Sequence, residues 1–346
     1  MAKNQSLALS ILFIFLVQAM WVLSREVRPN DLALAQLHEE WMTEHGRVYG
    51  SAEEREYRFK IFKNTVERVN AHNQVEGRSY DMAVNKFSDM TYDELKAKYT
   101  GLATTGRSLA GRSDLINLMS KTMNGDVPES VDWRKEGAVT EIKDQKECES
   151  CWAFAVVAAM EGATKIATGE LISLSEQELV DCDYYDHGCG GGQLGSAYEW
   201  IFENGGLNTE EAYPYKAGES GKCNETLSSV SAANIAGFIT LSPYNEKLLE
   251  ALVAQQPMAI AIDASYDFFS YKSGVFTGNC TDQLNHGVAI VGYGATDDGK
   301  KYWIIKNSWG STNWGEDGYG KMLKESGIQG GLCGLATDVS FPLVKM

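Results

Sequence analysis

Seven cysteines and five histidines carry most of the nucleophilic and basic chemistry open to this 346-residue chain. The cysteines stand at positions 148, 151, 182, 189, 223, 280 and 333. An odd count leaves one thiol over once the others pair, and which one is left decides the chemistry. Cys151 opens an almost wholly apolar run, Cys-Trp-Ala-Phe-Ala-Val-Val-Ala-Ala-Met, which predicts a buried helix. Ser150 stands at its N-cap position. Cys151 then falls in the first turn, at the positive end of the helix dipole, where a thiol ionises more readily to the nucleophilic thiolate. Such a nucleophile needs a base, and the base needs a group that orients it. His286 precedes the strand signal Gly287-Val288-Ala289-Ile290-Val291-Gly292. A second strand, Tyr302-Trp303-Ile304-Ile305, leads to Asn307, and Asp297-Asp298-Gly299-Lys300 between them is a hairpin turn signal. Folding there sets His286 and Asn307 roughly opposite each other. The Asn amide oxygen can accept one ring N–H and leave the other nitrogen for the thiol.

Two other readings use the same residues. Cys148-x-x-Cys151 at a helix start resembles a redox dithiol, but no βαβ pattern precedes it. Cys148, Cys151, His187 and Cys189 have loosely suitable spacing for zinc. An oxidising compartment favours disulfides over both, and His187 reads as a loop residue. No metal or cofactor is expected.

The elements that must position these residues occupy the second part of the chain. The start reads as a signal peptide, residues 1–24: Lys3, an apolar run from Leu7 to Leu23, and cleavage after Ala19 or Ser24. Residues 25–125 read as a leader. Its stretch 32–100 is charged and helical, with capping-box spacing at Ser51 and Glu54 and an apolar face of Phe59, Phe62, Val66 and Val69. Residues 101–125, rich in Gly, Ser and Thr, read as a cleavable linker. From Asp126 onward there are 15 Lys+Arg and 32 Asp+Glu, so an acidic body of residues 126–346 follows a near-neutral leader. Helical signals dominate about 136–235, and short strands with Gly turns about 236–340. The net charge of −16 excludes nucleic acid as a partner. No second long apolar stretch predicts a membrane span, and a monomer is expected.

Here the sequence resembles the papain-like cysteine proteases, and among them plant precursors of senescence-associated and vacuolar type. His286 and Asn307 follow Cys151 by 135 and 156 residues. Glu54, Arg58, Phe62 and Asn73 fit the family's interspersed propeptide motif, and Asn85, Phe87 and Asp89 its second one. Val131-Asp132-Trp133-Arg134 looks like the usual start of the mature enzyme. The resemblance implies a two-lobed α+β fold, a helical lobe beside an antiparallel, barrel-like β lobe, preceded by a helical inhibitory propeptide. It implies a thiol endopeptidase made as a zymogen, acting on proteins in a vacuole, lysosome or extracellular space. It makes Cys151 the nucleophile, His286 its base, Asn307 the orienting group and Gln145 an oxyanion donor, with Trp309 shielding the Asn–His bond. It pairs Cys148–Cys189, Cys182–Cys223 and Cys280–Cys333, leaving Cys151 free. Partners implied are peptide and protein substrates, the chain's own propeptide and cystatin-like inhibitors.

The resemblance also places substrate contacts. Gln193, Leu194, Ala261, Leu284, Gly287 and Asp338 should line the S2 pocket, favouring a hydrophobic P2 residue, with Asp338 leaving room for a basic one. Gly190, Gly191 and Gly192 lack side chains and can hydrogen-bond a substrate strand. The family has Gly where this chain has Lys146 and Glu149. Glu149 should line S1 and favour a basic P1 residue. These two departures sustain a rival reading, an impaired homologue serving as a storage or binding protein. Thr65, Val69 and Ala83 replace the usual Asn, Ile and Gly of the leader motifs, and one residue is inserted near Ser311–Trp314. Asn224 and Asn279 head glycosylation sequons. The acidic body predicts that protonating carboxylates at low pH loosens the leader.

Overall fold

The computed structural model describes residues 29–103, 127–219 and 222–344. The expected signal peptide and most of the expected linker lie outside them. The chain divides into two compact units, one ending at Thr65 and the other beginning at Val66.

The first unit holds helix α1, Pro29–Glu44, and the opening turns of helix α2, Ala52–Asn73. Ser51 Oγ accepts the Glu54 N–H at 3.1 Å, while the Glu54 carboxylate takes the Gly50 N–H at 2.9 Å. The cap is therefore made, with its return bond one residue upstream of the box position. Phe62 is fully buried, its ring 4.9 Å from His38 and 5.1 Å from Trp41. Phe59 is only half-buried.

In the second unit the end of α2 buries Val69 in the main core. Asn73 then exchanges two hydrogen bonds with the Met82 backbone, at 3.0 and 2.8 Å. This clamps strand β1, Tyr80–Met82, ahead of helix α3, Tyr92–Tyr99. The leader is thus not helical throughout 32–100. Tyr80 and Met82 alternate with polar neighbours, and β1 pairs as an edge strand with a body strand.

The body begins with strand β2, Val131–Asp132, followed by helices α4, Cys151–Thr168, α5, Glu176–Cys182, and α6, Leu194–Asn204. After them come β3, Gly237–Leu241, helix α7, Glu246–Val253, and β4, Met258–Ile262. The remaining strands are β5, Tyr271–Phe276, β6, His286–Ala295, β7, Lys301–Lys306, β8, Tyr319–Leu323, and β9, Val339–Leu343. The sheet order is β1-β5-β8-β7-β6-β4-β9-β3, with β2 on β6. All pairs are antiparallel except β5–β8, which is parallel and departs from the expected all-antiparallel lobe. β5 and β8 are far apart in sequence, and no local turn signal reports how they meet.

Two cores result. Trp152, Met160, Leu179, Tyr198 and Ile201 fill the helical half. Phe268, Phe276, Trp303, Trp309 and Trp314 fill the strand half. Helix α4 is the hub of the first: its apolar run is good helix-forming sequence, and Gly169 ends it with φ 83°, a left-handed cap open to glycine at no steric cost. The disulfides are Cys148–Cys189, Cys182–Cys223 and Cys280–Cys333, and Cys151 is the free cysteine. Pairing of Cys148 with Cys189 removes both the redox-dithiol and the zinc readings. No metal-ligand cluster occurs, and no helix is long and apolar enough to cross a membrane, among the described residues.

Candidate active site

Cys151 begins α4 and is completely buried. Ser150 occupies the N-cap position but makes no capping bond. Its hydroxyl is taken by Tyr215, at 2.7 Å. The Cys151 sulfur accepts the Gly287 N–H at 3.3 Å, so the strand that starts with His286 lies directly on the first turn of α4. Gly287 allows this close approach, because a Cβ would stand 3.0 Å from the Cys151 carbonyl oxygen.

β6 and β7 form the expected hairpin, but its loop, Thr296–Lys300, is centred on Asp298 and Val291 is bulged out. Lys306 pairs with Ala289, so Asn307 stands diagonal to His286 and not opposite it. The side chains still meet: His286 Nε2 lies 2.9 Å from Asn307 Oδ1. That oxygen also accepts the Ser308 N–H at 2.8 Å, which fixes the amide's orientation. Oδ1 can only accept, so Nε2 carries the ring proton and Nδ1 keeps its lone pair. Nδ1 is buried and has no hydrogen-bond partner. Trp309 stacks on the imidazole, centroids 4.6 Å apart, and excludes water from the Asn–His bond.

Gln145 is buried and rigidly held. Its N–H reaches Ser308 O at 2.8 Å, and its Oε1 accepts from Ser308 Oγ at 2.7 Å. Its Nε2 therefore points away from Ser308, donating to Cys148 O at 2.9 Å and to the leader's Tyr99 O at 3.3 Å. Trp309 Nε1 donates to the same Tyr99 carbonyl at 3.1 Å.

The leader crosses this site. Gly101 and Leu102 each donate to Asn285 O at 3.1 Å. Gly192 donates to Gly101 O at 2.9 Å and accepts the Ala103 N–H at 2.9 Å, a parallel bridge. A Cβ on Gly101 would stand 2.1 Å from Glu149 O, so only glycine lets the leader pass this closely. Gly191 abuts the same residue from the other side, its absent Cβ 2.7 Å from Gly101 O. Leu102 packs on the cluster containing Leu194 and Ala261, as does Leu284. Gln193 is half-buried, with its N–H on Asp186 Oδ1 at 3.0 Å. Asp338 is largely buried, which pushes its carboxyl up to about 6.

Burial reverses the expected ionisation. It pushes the Cys151 thiol up to about 12, with the Glu149 charge adding and the backbone N–H groups of Gly287 and Trp152 opposing. Burial also lowers His286 to about 4 against its bond to Asn307. Desolvation outweighs the dipole at Cys151, and in the precursor both groups are neutral.

The two departures do not displace these residues. Lys146 adopts φ 56°, a backbone conformation that explains the family's glycine, and its ammonium pairs with Asp144 at 2.8 Å. Glu149 donates its N–H to Cys189 O at 3.3 Å, and partial burial raises its carboxyl. Ion pairs that join leader to body include Arg68–Asp267 at 2.5 Å, Lys86–Asp144 at 3.4 Å and Lys98–Glu147 at 2.9 Å. Burial alone would raise Asp144, but Lys86 and Lys146 outweigh it and hold the carboxyl below its ordinary range. Asp144 therefore stays ionised further into acid than an ordinary carboxylate.

Residues 127–343 match the papain family of cysteine proteases, and residues 38–95 match the cathepsin propeptide inhibitor domain. The chain is 48% identical over 320 residues to the senescence-specific cysteine protease SAG12 of Arabidopsis thaliana, covering 91% of this chain and 92% of that one. The solved recombinant stem bromelain precursor matches with a TM-score of 0.81 at 41% identity, covering 91% of this chain and 100% of that one. The bromelain protease of Ananas comosus, solved in complex with the E64 inhibitor, matches with a TM-score of 0.61 at 44% identity, over 63% of this chain and 100% of that one. The chain belongs to the papain family of cysteine proteases, a thiol endopeptidase with the two-lobed α+β fold. It is made as a zymogen whose own propeptide is its inhibitor.

Proposed function

We propose that Cys151 is the nucleophile, His286 the acid and base, Asn307 the orienting group, and the Gln145 amide and Cys151 N–H the oxyanion donors. One observation carries this reading. The Asn307 bond fixes the proton on His286 Nε2 and leaves a buried, unpartnered Nδ1 beside the free cysteine's turn. The thiolate adds to the peptide carbonyl, forming a C–S bond, and the oxyanion donors hold the negative oxygen. Imidazolium protonates the leaving amine as the C–N bond breaks. Neutral His286 then takes a proton from water, whose oxygen displaces the sulfur and releases the acid. The leader blocks this by placing the Tyr99 carbonyl on Gln145 and bridging to Gly192, whose backbone is then unavailable to a substrate strand.

The test is labelling at pH 5 with an epoxide that alkylates papain-type thiols. The matured form of roughly 220 residues should label, the precursor should not, and Cys151→Ala should abolish the signal. Equal labelling of Cys151→Ala would refute the assignment.

Subsite chemistry follows the same reading. Glu149 lies against Gly101 of the leader, beside the nucleophile, and supports a preference for Arg or Lys at P1. Glu149→Gly should lower kcat/KM for such substrates relative to neutral P1 by roughly tenfold, the scale of one charged hydrogen bond. The Asp338 carboxyl, half charged only near pH 6, supports a hydrophobic P2 in acid and a basic P2 above that. One peptide panel read at pH 5 and pH 7 checks both; unchanged ratios would remove both assignments. The disulfides and the signal-like start support passage through the secretory pathway to vacuole, lysosome or extracellular space. Asn224 and Asn279 are exposed, as glycan acceptors must be. A monomer controlled by cystatin-like inhibitors completes the reading.

A further inference from the structure

Tyr215 touches both walls of the oxyanion site. Its hydroxyl donates to Gln145 O at 2.8 Å and lies 2.7 Å from Ser150 Oγ. A phenol has one proton, and here it goes to the Gln145 carbonyl. Ser150 must therefore donate to the phenol oxygen. Gln145 and Ser150 are both fully buried, so neither has water as a substitute partner. Gln145 carries the amide proposed to hold the oxyanion. Ser150 directly precedes Cys151, whose N–H is the second donor. The ring is fixed as well: it meets Phe154 of α4 edge-on at 4.8 Å, and the Tyr215 N–H is held by Glu210 Oε1 at 2.9 Å. None of these partners belongs to the leader, so the bridge survives maturation.

We propose that Tyr215 is a positioning residue for the oxyanion site. Its hydroxyl sets the spacing between the Gln145 segment and the Ser150–Cys151 turn, so that two donors on separate segments converge on one oxygen. This rests on the reading of Gln145 and Cys151 given above. Burial raises the phenol's pKa, so it stays a donor across the range in which the enzyme works. Deleting one oxyanion donor costs about 10²–10³ in kcat. Letting both donors drift should cost roughly tenfold, in kcat and not in KM, because the oxyanion forms only after binding.

The experiment uses matured enzyme from full-length Tyr215→Phe, Ser150→Ala, the double variant and Gln145→Ala. The readouts are kcat and KM on one peptide, affinity for a peptide aldehyde, whose thiol adduct carries the same oxygen, and melting temperature. Tyr215→Phe and Ser150→Ala should each lower kcat roughly tenfold with KM within about twofold. Aldehyde affinity should fall in step, and the double variant should be no worse than either single. Ser150→Ala keeps the test open if Tyr215→Phe fails to mature. The bridge has no positioning role if Gln145→Ala is impaired while Tyr215→Phe and Ser150→Ala keep full kcat. It has none either if kcat, KM and melting temperature all move together. Full activity in Gln145→Ala would instead overturn the oxyanion assignment beneath it.

Discussion

Removing the leader will raise the thiolate population of Cys151 at pH 6 by about 10⁴-fold or more. In the precursor the thiol is fully buried and pushed up to about 12, and His286 is lowered to about 4. Between those values the site holds a neutral thiol and a neutral imidazole. The two shifts run in opposite directions because burial disfavours whichever form is charged. The Tyr99–Ala103 segment of the leader covers Gln145, Trp309, Asn285 and Gly192. Once it leaves, water reaches the sulfur and the ring, and the burial penalty falls on both. The thiol then falls while the imidazole rises, and the charged pair becomes the stable form. The measurement is the ultraviolet absorbance of the thiolate against pH, taken as the difference from Cys151→Ala. The precursor should show no step below about pH 10, and the matured enzyme should show one in the acid range. Absorbance needs no reagent to reach the sulfur, so steric shielding cannot imitate the result. A precursor step in the acid range would mean that the leader only blocks access and leaves the nucleophile charged.

The parts of this site legible in the sequence were those that residue type and local pattern specify. Cys151 follows an N-cap residue and opens an apolar helix, and His286 and Asn307 flank two strand signals joined by a turn. Their roles need particular side chains at element ends, and element ends are what local pattern reports. The exact pairing was not legible, because the bulge at Val291 and the turn centre at Asp298 depend on the whole ladder. Tyr215 was missed because it lies on a loop with no periodicity, and its partners are 65 and 70 residues away. The ionisation of Cys151 was misread for a related reason. The dipole is a local property of α4, whereas burial is set by segments brought in from far along the chain, such as Gly287 on the sulfur. The leader's strand β1 was hidden too, since three residues acquire strand geometry only by pairing with β5.

One signal was visible and unused: Glu161 is the only acidic residue in α4. A carboxylate in a buried helix requires cationic partners. They are Lys143 Nζ at 3.0 Å and Lys306 Nζ at 3.9 Å, with the Thr140 hydroxyl at 2.5 Å and the Leu174 N–H at 2.9 Å. Burial alone would raise this carboxyl, but the two ammonium groups outweigh it and keep Glu161 ionised. Glu161→Ala leaves Lys306, itself buried, without its counter-charge. Breaking a buried pair from one side costs about 3–5 kcal/mol, which in a body of this size lowers the melting temperature by roughly 10 °C. Replacing both charges by apolar groups removes the unpaired ion, so Glu161→Met with Lys306→Met should recover much of the loss. Thermal denaturation of the three proteins decides it. Glu161→Ala melting within 2 °C of the parent, against the roughly 10 °C expected, would show that solvent reaches the cluster. The cluster joins α4 to β7 one residue before Asn307, so it also holds Asn307 against the helix that carries Cys151. Activity should therefore fall with the melting transition and not ahead of it, because Asn307 is held by the folded cluster as a whole and not by Glu161 directly.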